Sequence, residues 1–174
     1  EMDLVKMNKA IKIWARRPEG LNITRKGNDY IILSGVGLIQ IDVDSLSQGL
    51  KTTIISLCGN FPRDGEILTT DRGKKLDSMD TFMEMIKKAE RGQVLEHTGL
   101  VHIENGKDLI ILNSPKFKDY TYINRDFIFI KDTKTVEFTQ ADSNFGQIVY
   151  KKDQLIAMVL PIRVSDEVKY LKER

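Results

Sequence analysis

The sequence predicts an α+β protein, predominantly of antiparallel β-strands, in which one clear helix packs on a face of a curved sheet. Most of the 174 residues fall in short segments rich in Ile, Val, Phe and Thr, which turn residues bound. One amphipathic helix is evident over residues 78–91. Between two of the segments stands Asn105-Gly106, a strong hairpin signal because a type I′ turn requires positive φ at both central residues.

The N-terminal residues 4–17 fit either a helix or a strand. Lys6 and Lys9 have helical spacing, whereas Ile11 and Ile13 alternate as in a strand. The remaining apolar segments are predicted as strands, and in chain order they cover residues 29–34, 37–43, 52–57, 66–70, 99–104, 108–112, 126–130, 134–140, 146–150 and 154–160.

The helix over residues 78–91 begins at Ser78 as its predicted N-cap, and Gly92 is predicted to stop it. Its apolar positions form one stripe, which is typical of a helix packed on a core; they are Met79, Phe82, Met83, Ile86 and Ala89. The basic residues near its end complement the helix dipole and are the candidate nucleic-acid-binding residues: Lys87, Lys88 and Arg91. A second, shorter helix is predicted after Ser165.

The loop over residues 59–78 contains glycines, a proline and several charges, which is typical of a long connection. It separates a β-rich N-terminal part, residues 1–75, from a part that contains the helix and further strands, residues 76–174. Two interpretations stay open: two parts, or one single domain.

Composition limits the classes of function. Lys and Arg number 27 against 25 Asp and Glu, a net charge of +2, which excludes a strongly basic nucleic-acid module. The only cysteine, Cys58, has no partner for an internal disulfide, so we expect a reducing compartment and a cytoplasmic location. No apolar run approaches the roughly 20 residues of a membrane helix, so we expect no membrane association.

The sequence contains no catalytic motif, and we assign no catalytic residue, metal ligand or cofactor. Whether the protein is an enzyme stays open. The one enzymatic alternative is a metal-dependent hydrolase that uses His97 and His102, beside Glu96 and Glu104. Five residues of extended strand place the two histidines on opposite faces, although a turn at residues 98–99 would bring them together.

Residues 116–127 interleave aromatic and basic side chains. One interpretation is a strand on which nucleic-acid bases stack. The other is an amphipathic strand whose rings face the core and whose charges face water.

Residues 134–164 carry the most specific pattern in the chain. Asp142-Ser143 falls between two predicted strands, and the last strand closes with Leu160-Pro161-Ile162-Arg163-Val164, hereafter the closing segment. This arrangement resembles the C-terminal end of bacterial DNA polymerase sliding clamps. Upstream, the helix over residues 78–91 followed by residues 98–114 is similar to the helix-then-hairpin order of a clamp domain.

The resemblance implies a processivity-clamp-like fold and a non-enzymatic role in DNA replication. The partners it implies are a replication protein or its peptide, DNA, and further copies of the same chain. In clamps the closing segment lines an apolar groove for short peptides, so the resemblance makes Leu160, Pro161, Ile162, Arg163 and Val164 the candidate peptide-groove residues. Ile162 and Val164 would form apolar walls and Arg163 a charged rim, while Pro161 ends the strand because it lacks an N–H.

The alternative is a β-rich interaction or regulatory module, including a phage-encoded one, with no relationship to clamps. In that interpretation the closing segment is simply the end of a core strand. A clamp relative requires strands 99–112 and 134–160 in one sheet, with the helix of residues 78–91 packed across it.

Overall fold

A computed structural model describes residues 1–143 and 145–165. Within these ranges the chain forms three α-helices: α1 Leu4–Ala15, α2 Gln48–Cys58 and α3 Asp80–Glu90. The strands are β1 Asn22–Lys26, β2 Asp29–Leu33, β3 Gly37–Asp42, β4 Ile67–Thr69, β5 Gln93–Glu104, β6 Lys107–Asn113, β7 Thr121–Asn124, β8 Phe138–Gln140, β9 Ile148–Lys152 and β10 Leu155–Val159. The helix predicted after Ser165 falls on residues 166–174, which lie outside the described ranges.

The strands form one sheet in the order β4-β1-β2-β3-β10-β9-β8-β5-β6-β7. Every neighbouring pair is antiparallel, which confirms the predicted fold class. The C-terminal strand β10 joins the two halves of the sheet, because it pairs with β3 on one side and β9 on the other. Strands 99–112 and 134–160 therefore contribute to one sheet.

Side chains alternate between the two faces of the sheet, as a strand's period of two requires. Ile32 and Ile39 belong to the larger core, together with residues of α1 and α2. Their neighbours Ile31 and Leu38 belong to a second core on the other face, where Ile86 of α3 packs. The prediction that residues 78–91 form a helix packed on the sheet is confirmed, except that the N-cap is Met79, and Ser78 Oγ accepts from the Asp80 N–H at 3.1 Å.

The prediction of a strand at residues 52–57 is wrong, because these residues lie in α2. The helix begins where Ser47 Oγ accepts a hydrogen bond from the Leu50 N–H, and it ends at Gly59, whose φ is +78°. Leu50 and Ile54, four residues apart, are both buried. Helical spacing and two end signals therefore outweigh the β-branched composition of this segment.

The prediction of a strand at residues 126–130 is also wrong. The segment starts in the 3₁₀ turn Arg125–Phe127 and then pairs with the N-terminus through one isolated antiparallel bridge, Met2 with Ile130. The Tyr150 hydroxyl adds two hydrogen bonds to the segment: it accepts from the Phe129 N–H at 3.0 Å and donates to the Phe127 carbonyl at 2.7 Å. Burial strongly raises the pKa of Tyr150, so the hydroxyl stays protonated and keeps this donation.

The ambiguous N-terminus is a helix, in which Met7, Ala10, Ile11 and Trp14 are buried. Strands β1 and β7 were not predicted as separate strands. All four residues of β7 are buried, whereas Lys116, Lys118 and Arg125 on either side of it are exposed. Within residues 116–127 this favours rings toward the core and charges toward water over an exposed stacking surface.

The Asn105-Gly106 hairpin is confirmed, with φ of +52° and +74°. Among residues 1–143 and 145–165, no helix has the length and apolar character needed to cross a membrane.

Candidate functional site

The closing segment links the start of β3, an interior strand, to the edge strand β7. Strand β10 ends at Val159, two residues before Pro161. The Leu160 N–H then donates to the carbonyl of Val36, at the start of β3, at 3.3 Å. Two residues later the Ile162 N–H donates to the Tyr122 carbonyl of β7 at 2.8 Å. These two backbone hydrogen bonds hold the closing segment across the gap between β3 and β7.

The side chains of the closing segment have different environments. Leu160 is 40% exposed, and Arg163 lies over the Phe145 ring, 4.3 Å from its centroid. Val164 and Ile162 are half-buried and pack on a small cluster of β6 and β7. Of the five candidate groove residues, Ile162 lines a cavity beside α1.

That cavity is an apolar cleft of about 250 Å³ between α1 and the closing segment. Helix α1 supplies three of its apolar residues, and the facing wall comes from three other parts of the chain. The apolar lining consists of Ala10, Ile13, Trp14, Val36, Phe127 and Ile162. The cleft therefore brings together residues far apart in sequence, all placed by the curvature of one sheet around α1.

The rim of the cleft is mainly basic. Lys6, Lys9, Arg17 and Lys107 line it, against one carboxylate, Asp126. Arg17 is partly neutralised, since its Nε lies 3.2 Å from a carboxylate oxygen of Glu19. An apolar floor with a positive rim suits a ligand that has apolar side chains and acidic neighbours.

Trp14 is the central residue of the cleft wall. It is fully buried and makes edge-to-face contacts with Phe127 and Phe129, at centroid distances of 5.3 and 6.0 Å. Its indole nitrogen is buried and has no hydrogen-bond partner among the described residues, which is uncommon for a buried donor. Trp14 therefore lies between the cleft and the core and packs against both.

Sequence reasoning missed the contribution of α1 to this cleft. Ala10, Ile13, Trp14 and Arg17 follow the spacing i, i+3, i+4, i+7, which marks one face of a helix. That signal was present, but the competing strand pattern of residues 4–17 concealed it.

The candidate nucleic-acid-binding residues lie at the end of α3, on the opposite face of the sheet from α1. Lys88 and Arg91 are exposed, whereas Lys87 Nζ lies 3.2 Å from a Glu84 oxygen. Close by, Glu90 pairs with Lys151 at 2.9 Å. The surface is therefore of mixed charge, and Lys88 and Arg91 form no ion pair within residues 1–143 and 145–165.

The two histidines are held in different surroundings. His97 Nε2 lies 2.7 Å from the Val136 carbonyl oxygen, and its ring packs edge-to-face on Phe138. A bulge at residues 98–100 interrupts the ladder between His97 and Val101. In the part of the chain that the structure describes, no three His, Cys, Asp or Glu side chains come close enough to hold a metal ion.

No protein-family model matches the chain, and no curated protein matches it. Among solved structures, the β subunit of DNA polymerase III from Thermotoga maritima is similar over 94% of this chain and 65% of its own, with 11% identity and a TM-score of 0.33. The sliding clamp from Bartonella birtlesii bound to griselimycin is similar over 92% of this chain and 64% of its own, with 11% identity and a TM-score of 0.34. This chain thus spans slightly less than two thirds of either protein.

Proposed function

We propose that this chain is a non-enzymatic binding protein of the sliding-clamp type, which binds a short apolar peptide of a replication protein. The peptide occupies the cleft between α1 and the closing segment. The observation that carries the proposal is that Ile162, from the segment that resembles the clamp C-terminus, forms one wall of this cleft. Backbone hydrogen bonds on either side of Pro161 fix that wall in place.

The size and charge of the cleft support a peptide as its occupant. Its volume of about 250 Å³ is below the roughly 300–1,000 Å³ typical of small-molecule pockets, so it suits a few side chains rather than a whole ligand. The rim cations Lys9 and Lys107, which pair with no carboxylate in the part of the chain that the structure describes, would favour acidic residues next to the apolar ones and speed their encounter.

Ile162→Ala is expected to weaken binding of griselimycin about tenfold or more, which corresponds to a loss of roughly 1.4 kcal/mol. The substitution removes apolar wall but keeps the backbone N–H that bonds Tyr122. Trp14 is the single tryptophan and lines the cleft, so its fluorescence reports binding during titration. Calorimetry with linear peptides that combine two apolar residues with an acidic one extends the test.

Leu160→Ala is the matched control, because Leu160 lies in the same segment, is 40% exposed and does not line the cleft. The affinity of the Leu160→Ala variant for griselimycin is expected to equal that of the unaltered protein. Equal affinity in Ile162→Ala, or an equal loss in both variants, would show that the cleft is not the binding site.

The basic end of α3 is proposed as a separate contact with duplex DNA, on the observation that Lys88 and Arg91 are exposed and have no ion pair among the described residues. The double variant Lys88→Gln, Arg91→Gln is expected to bind DNA more weakly at low salt. Its slope of log affinity against log salt should fall by about 1.8, since each lost phosphate contact contributes roughly 0.9. Lys116→Gln, Lys134→Gln removes the same charge elsewhere, and an identical change in that control would refute the contact.

A further inference from the structure

A second cavity, of about 710 Å³, lies between α1, α2 and the loop at residues 70–72. It shares no lining residue with the cleft. The end of α1 divides its cations between the two sites: Arg17 lines the cleft, whereas Arg16 lines this second cavity, hereafter the helix groove. The helix groove is therefore a separate site, and eight of its ten lining residues have polar or charged side chains.

Three cations converge on the helix groove. Lys12 and Arg16 stand four residues apart on α1, and Arg72 approaches from the loop. Arg72 Nη1 donates to the Arg16 carbonyl oxygen at 3.5 Å, which holds the loop against the end of α1. Among the ion pairs of the described residues, none joins any of these three cations to a carboxylate.

Helix α2 adds a hydroxyl donor and an apolar surface on the facing side. Ser56 is exposed toward solvent and donates no hydrogen bond among the described residues. Thr52 already donates to the Gln48 carbonyl at 2.9 Å, so its oxygen can only accept. Leu57 of α2 and Ala15 of α1 supply apolar lining.

One carboxylate, Asp71, lines the helix groove. Burial, and then the charge of Asp71, raise the pKa of Cys58, so this carboxylate lies near the C-terminal end of α2. A carboxylate beside a cluster of cations suits a ligand that has both anionic groups and hydroxyl donors.

We propose that the helix groove binds a nucleotide, with Lys12, Arg16 and Arg72 on its phosphate chain. Guanidinium and ammonium groups are the usual partners of phosphate oxygens. Ser56 donates a further hydrogen bond to the phosphates, while Asp71 accepts from a ribose hydroxyl and Leu57 packs against the base or sugar. This inference does not depend on the proposed peptide cleft.

The volume of the helix groove and the arrangement of its cations favour a nucleotide over a nucleic-acid strand as the ligand. The volume of about 710 Å³ lies within the roughly 300–1,000 Å³ typical of small-molecule pockets. The three cations line one groove, whereas a strand requires phosphate contacts distributed along its length.

Isothermal calorimetry with adenosine triphosphate, and separately with inorganic tripolyphosphate, tests the proposal. Both are expected to bind at low salt, and the nucleotide more tightly because Asp71 and Leu57 add contacts. The double variant Arg16→Gln, Arg72→Gln should lose binding of both at least tenfold. The control Lys74→Gln, Lys75→Gln removes the same charge from exposed positions of the adjoining segment and should bind unchanged.

Three outcomes would overturn the proposal. The first is an equal loss in both double variants, which would indicate only diffuse attraction of anions. The second is tripolyphosphate binding as tightly as the nucleotide. The third is that a single-stranded oligonucleotide binds more tightly than the nucleotide and that its binding is lost in the Arg16→Gln, Arg72→Gln variant.

Circular dichroism melting curves establish that the Arg16→Gln, Arg72→Gln protein is folded. If it is not, the charge-preserving variant Arg16→Lys, Arg72→Lys replaces it and should retain tripolyphosphate binding. Griselimycin binding, followed by Trp14 fluorescence, should stay unchanged in these variants, so failure of the nucleotide site and failure of the peptide cleft are distinguishable.

Discussion

Gly92→Ala is expected to destabilise the protein by about 3 kcal/mol or more, at or above the upper end of the usual cost of overpacking. A Cβ at this position would lie 1.8 Å from the carbonyl oxygen of Gln140 and 2.7 Å from its carbonyl carbon. It would also lie 3.1 Å from the Cα of Ala141. All three are backbone atoms, so no change of rotamer relieves the clash.

Gln140 cannot move away without breaking other interactions. It is fully buried, and its side chain accepts from the Thr121 hydroxyl at 2.9 Å and donates to the Gly146 carbonyl at 3.0 Å. Shifting its backbone would disturb both hydrogen bonds as well as the pairing of β8 with β5 and β9. Strain at Gly92 therefore spreads through the centre of the sheet.

Urea denaturation followed by circular dichroism measures the effect of Gly92→Ala. Gly49→Ala is the matched control: a Cβ there would approach no closer than 3.7 Å, to Asn8 Nδ2, and Gly49 lies within α2. That variant should be more stable by about 0.5–1 kcal/mol, since alanine is the better helix former. Similar stabilities for the two variants would mean that the close approach at Gly92 is not a constraint.

Gly92 also shows what sequence can predict about a position and what it cannot. Its place after the helix predicts a glycine stop, and α3 does end at Glu90. The usual reason for such a glycine is a left-handed conformation, yet Gly92 is not among the residues with positive φ. Glycine is required here because β8, a strand almost fifty residues away, approaches closely. The local sequence carries no signal of that neighbour.

A strand, helix or turn could be predicted where the local sequence itself determines the backbone conformation, and not where a distant contact determines it. Asn105-Gly106 specifies its hairpin through backbone conformation alone, so it could be predicted. Residues 52–57 and 126–130 could not, because apolar β-branched composition indicates burial rather than strand. The second of these segments is held by Tyr150, a contact that only the folded chain creates.

The candidate site was predicted only in part. The sequence of the closing segment predicted Ile162 as a residue of the site. Ile162 can form a wall of the cleft because strand β10 ends before Pro161. The other wall depends on α1, and its helical pattern is hidden by alternating apolar residues at Ile11 and Ile13. The helix groove joins α1 to a loop more than fifty residues later, and its cations at Lys12, Arg16 and Arg72 form no motif in the sequence.

Trp14→Ala is expected to lower the free energy of unfolding by about 3–5 kcal/mol, the range for removal of a buried aromatic side chain. Trp14 is fully buried and contacts both Phe127 and Phe129. The 126–130 segment lies outside the strands of the sheet and pairs through one isolated bridge, so loss of the indole removes one of its main packing partners. Circular dichroism is the measurement, since this variant lacks the only tryptophan.

Ile13→Ala, one residue earlier on α1, separates stability from binding. Ile13 is 46% exposed yet lines the same cleft, so its truncation should cost less than about 1 kcal/mol of stability. Binding of apolar peptides at the proposed cleft should nevertheless weaken, because the ligand loses apolar wall. If Trp14→Ala unfolds in urea as the unaltered protein does, α1 is not the support of the 126–130 segment. If Ile13→Ala binds the peptides of the proposed cleft with unchanged affinity, the face of α1 that carries both residues is not the floor of a peptide site.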